Sequence, residues 1–404
     1  MYLLFFLFNN FRKVKSKQKI FTFNFYTSFF LISFSIFSLI LSESFTKAYK
    51  IEVINKYKAF NLDYRINDNY SSFISKNSMI KIDSILNSYS EKSIYSPYIE
   101  SNAILYINHF IDSKKYSQRE GVYIRGLQNN LFLNKKFNQN YLIHSNYYLD
   151  EKSIIIGEYL SNKINKSIND TISLLVKDQN DRITFKKFII SNIYKTGIKS
   201  DEFIVFLDFN TLSKLIYKDD NYYGCDGFIV ESSSLIKENF LDNDIYKSRY
   251  NIEDWDSLNY NLLKFLNFFD IPIKIITWLL MFLSIYSLSA FISNIMIEKR
   301  NDFKILYFLG FSNKYTQYLV LGICLYFSAI ATLFGSFIAL IVLLLQKYFQ
   351  FIAIPSERIF QVSVLPVNID TIIFLKYPFI IIITTIPIVA IIIKKNFKLL
   401  KINN

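Results

Sequence analysis

The sequence predicts a membrane protein: four transmembrane α-helices and a large α+β domain inserted between helices 1 and 2. Three observations predict it. Four apolar runs are each long enough to cross a bilayer, which takes about 20 residues in a helix. Residues 44–270, between the first two runs, contain no such run and are nearly neutral, with 29 Lys+Arg against 28 Asp+Glu. The remaining 17 basic and 5 acidic residues sit in and around the apolar runs. They include Arg12, Lys13, Lys15, Lys17 and Lys19 before the first run and Lys394, Lys395, Lys398 and Lys401 after the last. This is the positive-inside pattern, and it places both termini on the inner side and the large domain outside. The net charge of +13 therefore reflects the membrane, not a nucleic-acid-binding face. Hydrophobic residues make up 51% of the chain and mean hydropathy is +0.21, more apolar than ordinary soluble domains.

Residues 1–19 read as an interfacial segment on the inner face, apolar over Met1–Phe8 and then basic. Residues 20–43 form the first span; it is longer than a signal-peptide core and no small-residue cleavage site follows it, so it reads as an uncleaved anchor. Within 44–270, strands are expected over 103–107, 121–124, 153–156, 171–176, 183–193, 202–207 and 227–230. Helices are expected over 157–165, 209–217 (capped by Asp208 or Asn210) and 257–269. Residues 271–297 form the second span, 315–346 the third, 347–370 an outer loop, 371–393 the fourth span and 394–404 an inner tail. Pro387 lies inside the last span, where neighbouring helices can compensate a kink.

The inner linker, residues 298–314, carries the functional signal. Its charges Glu298, Lys299, Arg300, Asp302 and Lys304 come first, and Asn301 or Asp302 is expected to cap a short helix. Phe303, Leu306, Tyr307 and Gly310 follow at helical spacing, with Gly310 as the stop. The segment reads either as a helix lying in the headgroup layer or as a docking helix for an inner partner.

Glu298-Lys299, Ile305-Leu306 and Leu309-Gly310 directly after a span resemble the permease subunits with an FtsX-like domain, the membrane partners of certain ABC ATPases. The resemblance covers residues 271–400 as the permease domain and extends over nearly the whole chain to the lipoprotein-releasing LolC/LolE type. Tyr123-Ile124-Arg125-Gly126, Ile154-Ile155-Ile156-Gly157-Glu158, Asn169-Asp170-Thr171, Thr196-Gly197 before Asp201, Trp255 and Leu365-Pro366-Val367 stand in the matching order. It implies that the α+β block is a MacB-like periplasmic core domain. It also implies that Glu298, Lys299, Phe303, Ile305, Leu306, Leu309 and Gly310 belong to a helix that rests on an ATPase and transmits its motion. The implied partners are an ATPase dimer, a second permease subunit (identical or paralogous), a lipoprotein substrate, a periplasmic lipoprotein chaperone and membrane lipid, in a bacterial inner membrane. The chain departs from the pattern in its short loop 177–184, where that family carries the extended loop that engages the chaperone. Tyr286-Ser287, the two glycines Gly322 and Gly335 of the third span, and the lysine-rich tail depart from it too.

No catalytic constellation is legible. The phosphate loop G-x-x-x-x-G-K-[ST] is absent, since Gly121 to Gly126 continues Leu127-Gln128 without a lysine, so ATP hydrolysis is expected in a partner chain. His109 and His144 are the only histidines and have no ligand partners beside them; no metal or cofactor is expected. Asp150-Glu151 and Asp219-Asp220 read as solvated turns, and there is no G-x-S-x-G. Cys225 and Cys324 are expected as free thiols. Three functions remain: extraction of lipid-anchored proteins, MacB-like efflux, or an FtsX-like mechanotransmitter that controls a periplasmic hydrolase. The large outer block favours the first two. MacB-type chains usually carry their own ATPase domain before the first span, and 19 residues precede it here, so lipoprotein extraction is the expected reading and MacB-like efflux the alternative.

Overall fold

The structure is a computed structural model and describes residues 19–59, 61–89, 94–111, 114–132, 141–144, 149–217, 224–231, 249–268, 270–298, 300–310, 313–355 and 360–402. The described residues fall into two compact units, the first drawn from Met1–Ile51, Phe265–Ala353 and Val364–Asn404, the second from Glu52–Lys264 and Ile354–Ser363.

The chain opens with α1 (Lys19–Lys58). There follow β1 (Tyr64–Asp68), β2 (Ile74–Ser75), α2 (Lys76–Tyr89), β3 (Tyr95–Ile111), β4 (Lys114–Leu127), α3 (Asn129–Phe132) and β5 (Ser153–Gly157). Next come α4 (Glu158–Ile164), β6 (Thr171–Lys177), β7 (Ile183–Tyr194), β8 (Ile204–Asp208), α5 (Phe209–Ile216), β9 (Gly224–Cys225) and β10 (Gly227–Val230). The last elements are β11 (Tyr250–Asp254), α6 (Trp255–Leu258), α7 (Tyr260–Phe268), α8 (Asp270–Glu298), α9 (Arg300–Phe308), α10 (Asn313–Phe349) and α11 (Thr371–Ile402).

The second unit is a sheet-rich domain. Its strands run in the order β11-β1-β10-β3-β4-β8-β5-β7-β6, and β6 also pairs with β3. That last pairing, Ala103 opposite Val176 through Tyr106 opposite Ser173, closes β3, β4, β8, β5, β7 and β6 into a ring. Closure satisfies backbone groups that an open sheet would leave bare at its edges. The inward positions alternate as the pleat requires: Ala103 and Leu105 on β3, Val122 and Ile124 on β4, Ile172, Leu174 and Val176 on β6, and Phe188 and Ile190 on β7 are all buried in one core. Helix α5 begins where expected, with the Asp208 carboxylate accepting the Thr211 N–H at 3.2 Å. Ile354–Ser363 joins this unit, and the buried Lys56 ammonium donates to the Gln361 carbonyl at 2.6 Å.

The first unit holds the long helices. Four helical segments, Phe25–Lys58, Tyr260–Ile297, Gln317–Phe349 and Thr371–Ile392, are long and apolar enough to cross a membrane. Their shared core is aromatic and aliphatic. Phe291 and Phe327 stack at 3.7 Å, Phe25 and Phe29 meet Phe327, and Ile32, Ile36, Leu39 and Ile40 of α1 are fully buried. Helices α1 and α10 approach closely: Ser33 donates to the Ala331 carbonyl at 2.9 Å, and a Cβ on Gly335 would lie 2.3 Å from the Ser33 carbonyl oxygen. Ala331, Gly335 and Ala339 repeat every fourth residue, the small-residue spacing that lets membrane helices touch.

Several elements differ from the sequence reading. Helix α1 continues past the expected end at residue 43 to Lys58, because 44–58 contains no Gly or Pro to stop it. The strands expected over 103–107 and 121–124 are the centres of much longer ones, β3 with 17 residues and β4 with 14. The helix expected over 257–269 is divided at Asn259 into α6 and α7; both the backbone N–H and the side chain of Asn259 donate to the Trp255 carbonyl.

Candidate functional site

The candidate site is α9, the short helix between α8 and α10. It starts at Arg300, so neither Asn301 nor Asp302 stands outside the helix as the expected cap. It ends as predicted: the Leu309 N–H donates to the Ile305 carbonyl, and Gly310 takes φ +88°, a left-handed conformation natural to glycine.

Burial divides the helix into two faces. Phe303 and Leu306, three apart, are 3% and 8% exposed. They pack in one cluster with Ile292 and Met296 of α8, Leu319, Val320 and Cys324 of α10, and Val389 of α11. Ile305, Phe308 and Leu309 lie on the other face and are 57%, 83% and 70% exposed. At about 100° per residue these three occupy the side opposite Phe303 and Leu306. Of the residues expected to form one docking face, Phe303 and Leu306 therefore belong to the chain's own core, and Ile305 and Leu309 remain outward. Phe308, missed by sequence reasoning, joins them. Gly310 has open space where a Cβ would stand. Glu298 closes α8; its side chain, and all of Lys299, lie outside the described residues.

The opposite ends of the same helices carry a collar of ion pairs. Glu43, Lys47 and Lys50 recur along one side of α1. Lys47 pairs with Asp370, Lys50 pairs with Asp270 and donates to Asn267 at 3.0 Å, and Lys376 donates to Glu43 at 3.0 Å. Tyr377 also donates to Glu43. Asp270 opens α8 and Asp370 precedes α11, so both carboxylates sit at helix starts, where the dipole favours negative charge.

In the sheet-rich domain the titratable groups build structure. Glu100 accepts from the Arg125 guanidinium at 2.5 Å and the Tyr123 hydroxyl at 2.6 Å, with Arg65 at 3.5 Å. Burial pushes its carboxyl up, but the two arginines and the Tyr123 hydrogen bond outweigh that and hold it below the usual range. Asp201 is pushed up to about 6 by burial, against donations from the Thr196 N–H at 2.8 Å, the Thr196 hydroxyl and the Gly197 N–H at 2.9 Å. These bonds fold the Thr-Gly turn that the sequence singled out. Asp226 is likewise raised to about 6 by burial; it accepts the Glu100 N–H at 2.7 Å. Glu158 is tied to Lys195 at 2.9 Å. His144 is exposed, and the His109 side chain lies outside the described residues. Among the described residues no three His, Cys, Asp or Glu side chains gather as metal ligands. Cys225 and Cys324 are buried free thiols.

Compared with known proteins by sequence, the chain matches no protein-family model and no curated protein.

Proposed function

We propose that this chain is the permease subunit of an ABC transporter that extracts lipoproteins from the outer leaflet of a bacterial inner membrane, driven by a separate ATPase subunit. The observation that carries the reading is the two-faced helix α9. One face keys Phe303 and Leu306 into α8, α10 and α11 at once. The other presents Ile305, Phe308 and Leu309. A partner bound to the outward face and moving by a few ångströms would shift three long helices together, because packed interiors transmit displacement and do not absorb it. In this reading the ATPase dimer sits on the inner side beneath two permease chains, and both termini lie on that side. The sheet-rich domain lies outside, where the freed lipid anchor passes to a carrier. The loop between β6 and β7 is a tight turn held by Asp178, which accepts from the Asn180 and Arg182 N–H groups at 3.0 and 2.8 Å; carrier docking is therefore not assigned to it.

The test is reconstitution. The chain and the candidate ATPase are placed in proteoliposomes with a fluorescent lipid-anchored protein. ATP-dependent release to a soluble acceptor is the expected result, with no ATP turnover by the chain alone. ATP hydrolysis by the chain free of other ATPases, or stimulation of an outer hydrolase without any release, would contradict the reading.

A further inference from the structure

The outer surface of the β-ring carries an apolar band that its own core does not explain. Register places it strand by strand. On β3, Ile104 is opposite Gly121 of β4 and Leu175 of β6, and Leu175 is opposite Phe185 of β7. Residues two apart share a face, so Ile183 continues the band beyond Phe185. On the other side, Tyr123 of β4 pairs with Ile204 of β8, which is half-buried against the domain's own core, and the exposed Phe203 precedes it. Ile104, Ile183, Phe185 and Phe203 are 47%, 70%, 52% and 39% exposed. Beside Phe203 lies a shallow groove of about 480 Å³ lined also by Asn102, Gly121, Tyr123 and Ile204, and no side chain stands at Gly121. Soluble surfaces scatter apolar side chains singly; a row that runs from Phe185 of β7 across Leu175 of β6 to Ile104 of β3, with Ile183 and Phe203 near it, marks a contact.

The flanks say what kind. The next row on one side runs from Arg119 through Tyr106 and Ser173 to Lys187, with both basic residues exposed and Arg119 lying over the Tyr106 ring at 6.0 Å. Lys177 stands directly opposite Ile183, within the band, and Arg182 precedes Ile183; both are exposed. The nearby acids are Asp181, paired to Lys177 at 2.9 Å, and the half-buried Glu202. Apolar and aromatic side chains in the middle with a basic margin are the chemistry of a surface that lies on anionic lipid. The geometry points to this band as a lipid-surface contact: the sheet-rich domain docks on an anionic bilayer face through Ile104, Ile183, Phe185 and Phe203, with Arg119 and Lys187 on the phosphates. This inference is independent of what the chain transports.

The experiment uses the full chain in liposomes, with an environment-sensitive dye on Ile183→Cys and, as a second site, on Phe185→Cys. A dye on Lys214→Cys, on α5 and paired with Glu151, is the control, and unlabelled-site reaction is measured on the unsubstituted chain. Nitroxide on lipid acyl chains should quench the dyes at 183 and 185 but not at 214, and more strongly in phosphatidylglycerol-containing bilayers than in pure phosphatidylcholine. Arg119→Gln with Lys187→Gln should weaken the bound population by about fivefold for each charge removed, since each basic residue near such a surface contributes about 1 kcal/mol. Equal, low quenching at all three sites in both bilayers would overturn the inference. Shielding at 183 and 185 that appears only with two copies per liposome, independent of lipid charge, would also overturn it and make the band an interface between copies.

Discussion

Replacing Gly335 by leucine is expected to destabilise the helical unit by about 3 kcal/mol or more, because overpacking a closed contact costs up to this amount and sometimes beyond it. The new Cβ alone would sit 2.3 Å from the Ser33 carbonyl oxygen, which is backbone and cannot swing away. Helix α1 would have to leave α10, breaking the hydrogen bond from Ser33 to Ala331. Gly322 lies on the same helix, and a methyl added there would meet nothing within 4 Å, so Gly322→Ala should be neutral or gain up to about 1 kcal/mol from helix propensity. Thermal unfolding of the purified chain in detergent compares the two. Equal midpoints for the unsubstituted chain and Gly335→Leu would remove the close contact from the account.

The second large effect is expected in the sheet-rich domain. Glu100→Ala leaves Arg125, whose side chain is 6% exposed, beside Arg65 without their shared carboxylate. Stranding a buried charge typically costs about 3–5 kcal/mol. Asn61, which accepts from both arginines at 2.9 and 3.0 Å, would remain but carries no charge. Glu100→Gln keeps an acceptor for Arg125 and Tyr123 and should cost less. Denaturant titration of the full chain with Trp278→Phe, so that the buried Trp255 alone emits, gives the order: Glu100 most stable, then Gln, then Ala. Alanine and glutamine variants that unfold together with the unsubstituted chain would show that the cluster contributes no net stability.

What the sequence discloses follows from how local each signal is. The four long apolar helices are legible because an uninterrupted apolar run needs no partner to be recognised. Strands β5 and β6 are legible for the same reason, being Ile- and Leu-rich. The full length of β3 and β4 is not, since Ser101, Asn102, Ser117 and Gln118 are held in the ladder by pairing with each other's strand. Closure of the ring is not legible either: Ala103 meets Val176 across 73 positions, and nothing near either residue announces it. For α9, Gly310 and the apolar spacing disclose a helix and where it stops. They do not disclose its orientation, because Phe303 and Leu306 on one face are matched by Ile305, Phe308 and Leu309 on the other. Only the neighbours α8, α10 and α11 decide which face is already occupied.

That division makes the central claim testable on one helix. Solubilised membranes are passed over the tagged permease and the ATPase recovered per permease is measured, for Ile305→Ala with Leu309→Ala and for Leu306→Ala. Loss of outward anchors at a packed interface costs above about 2 kcal/mol each when they fill pockets. The outward pair should therefore abolish ATPase recovery while the chain's unfolding midpoint stays unchanged, whereas Leu306→Ala should lower the midpoint by emptying the cluster around Val389. Full ATPase recovery with both Ile305 and Leu309 replaced would contradict the account and leave α9 as a helix that only lies in the lipid headgroups.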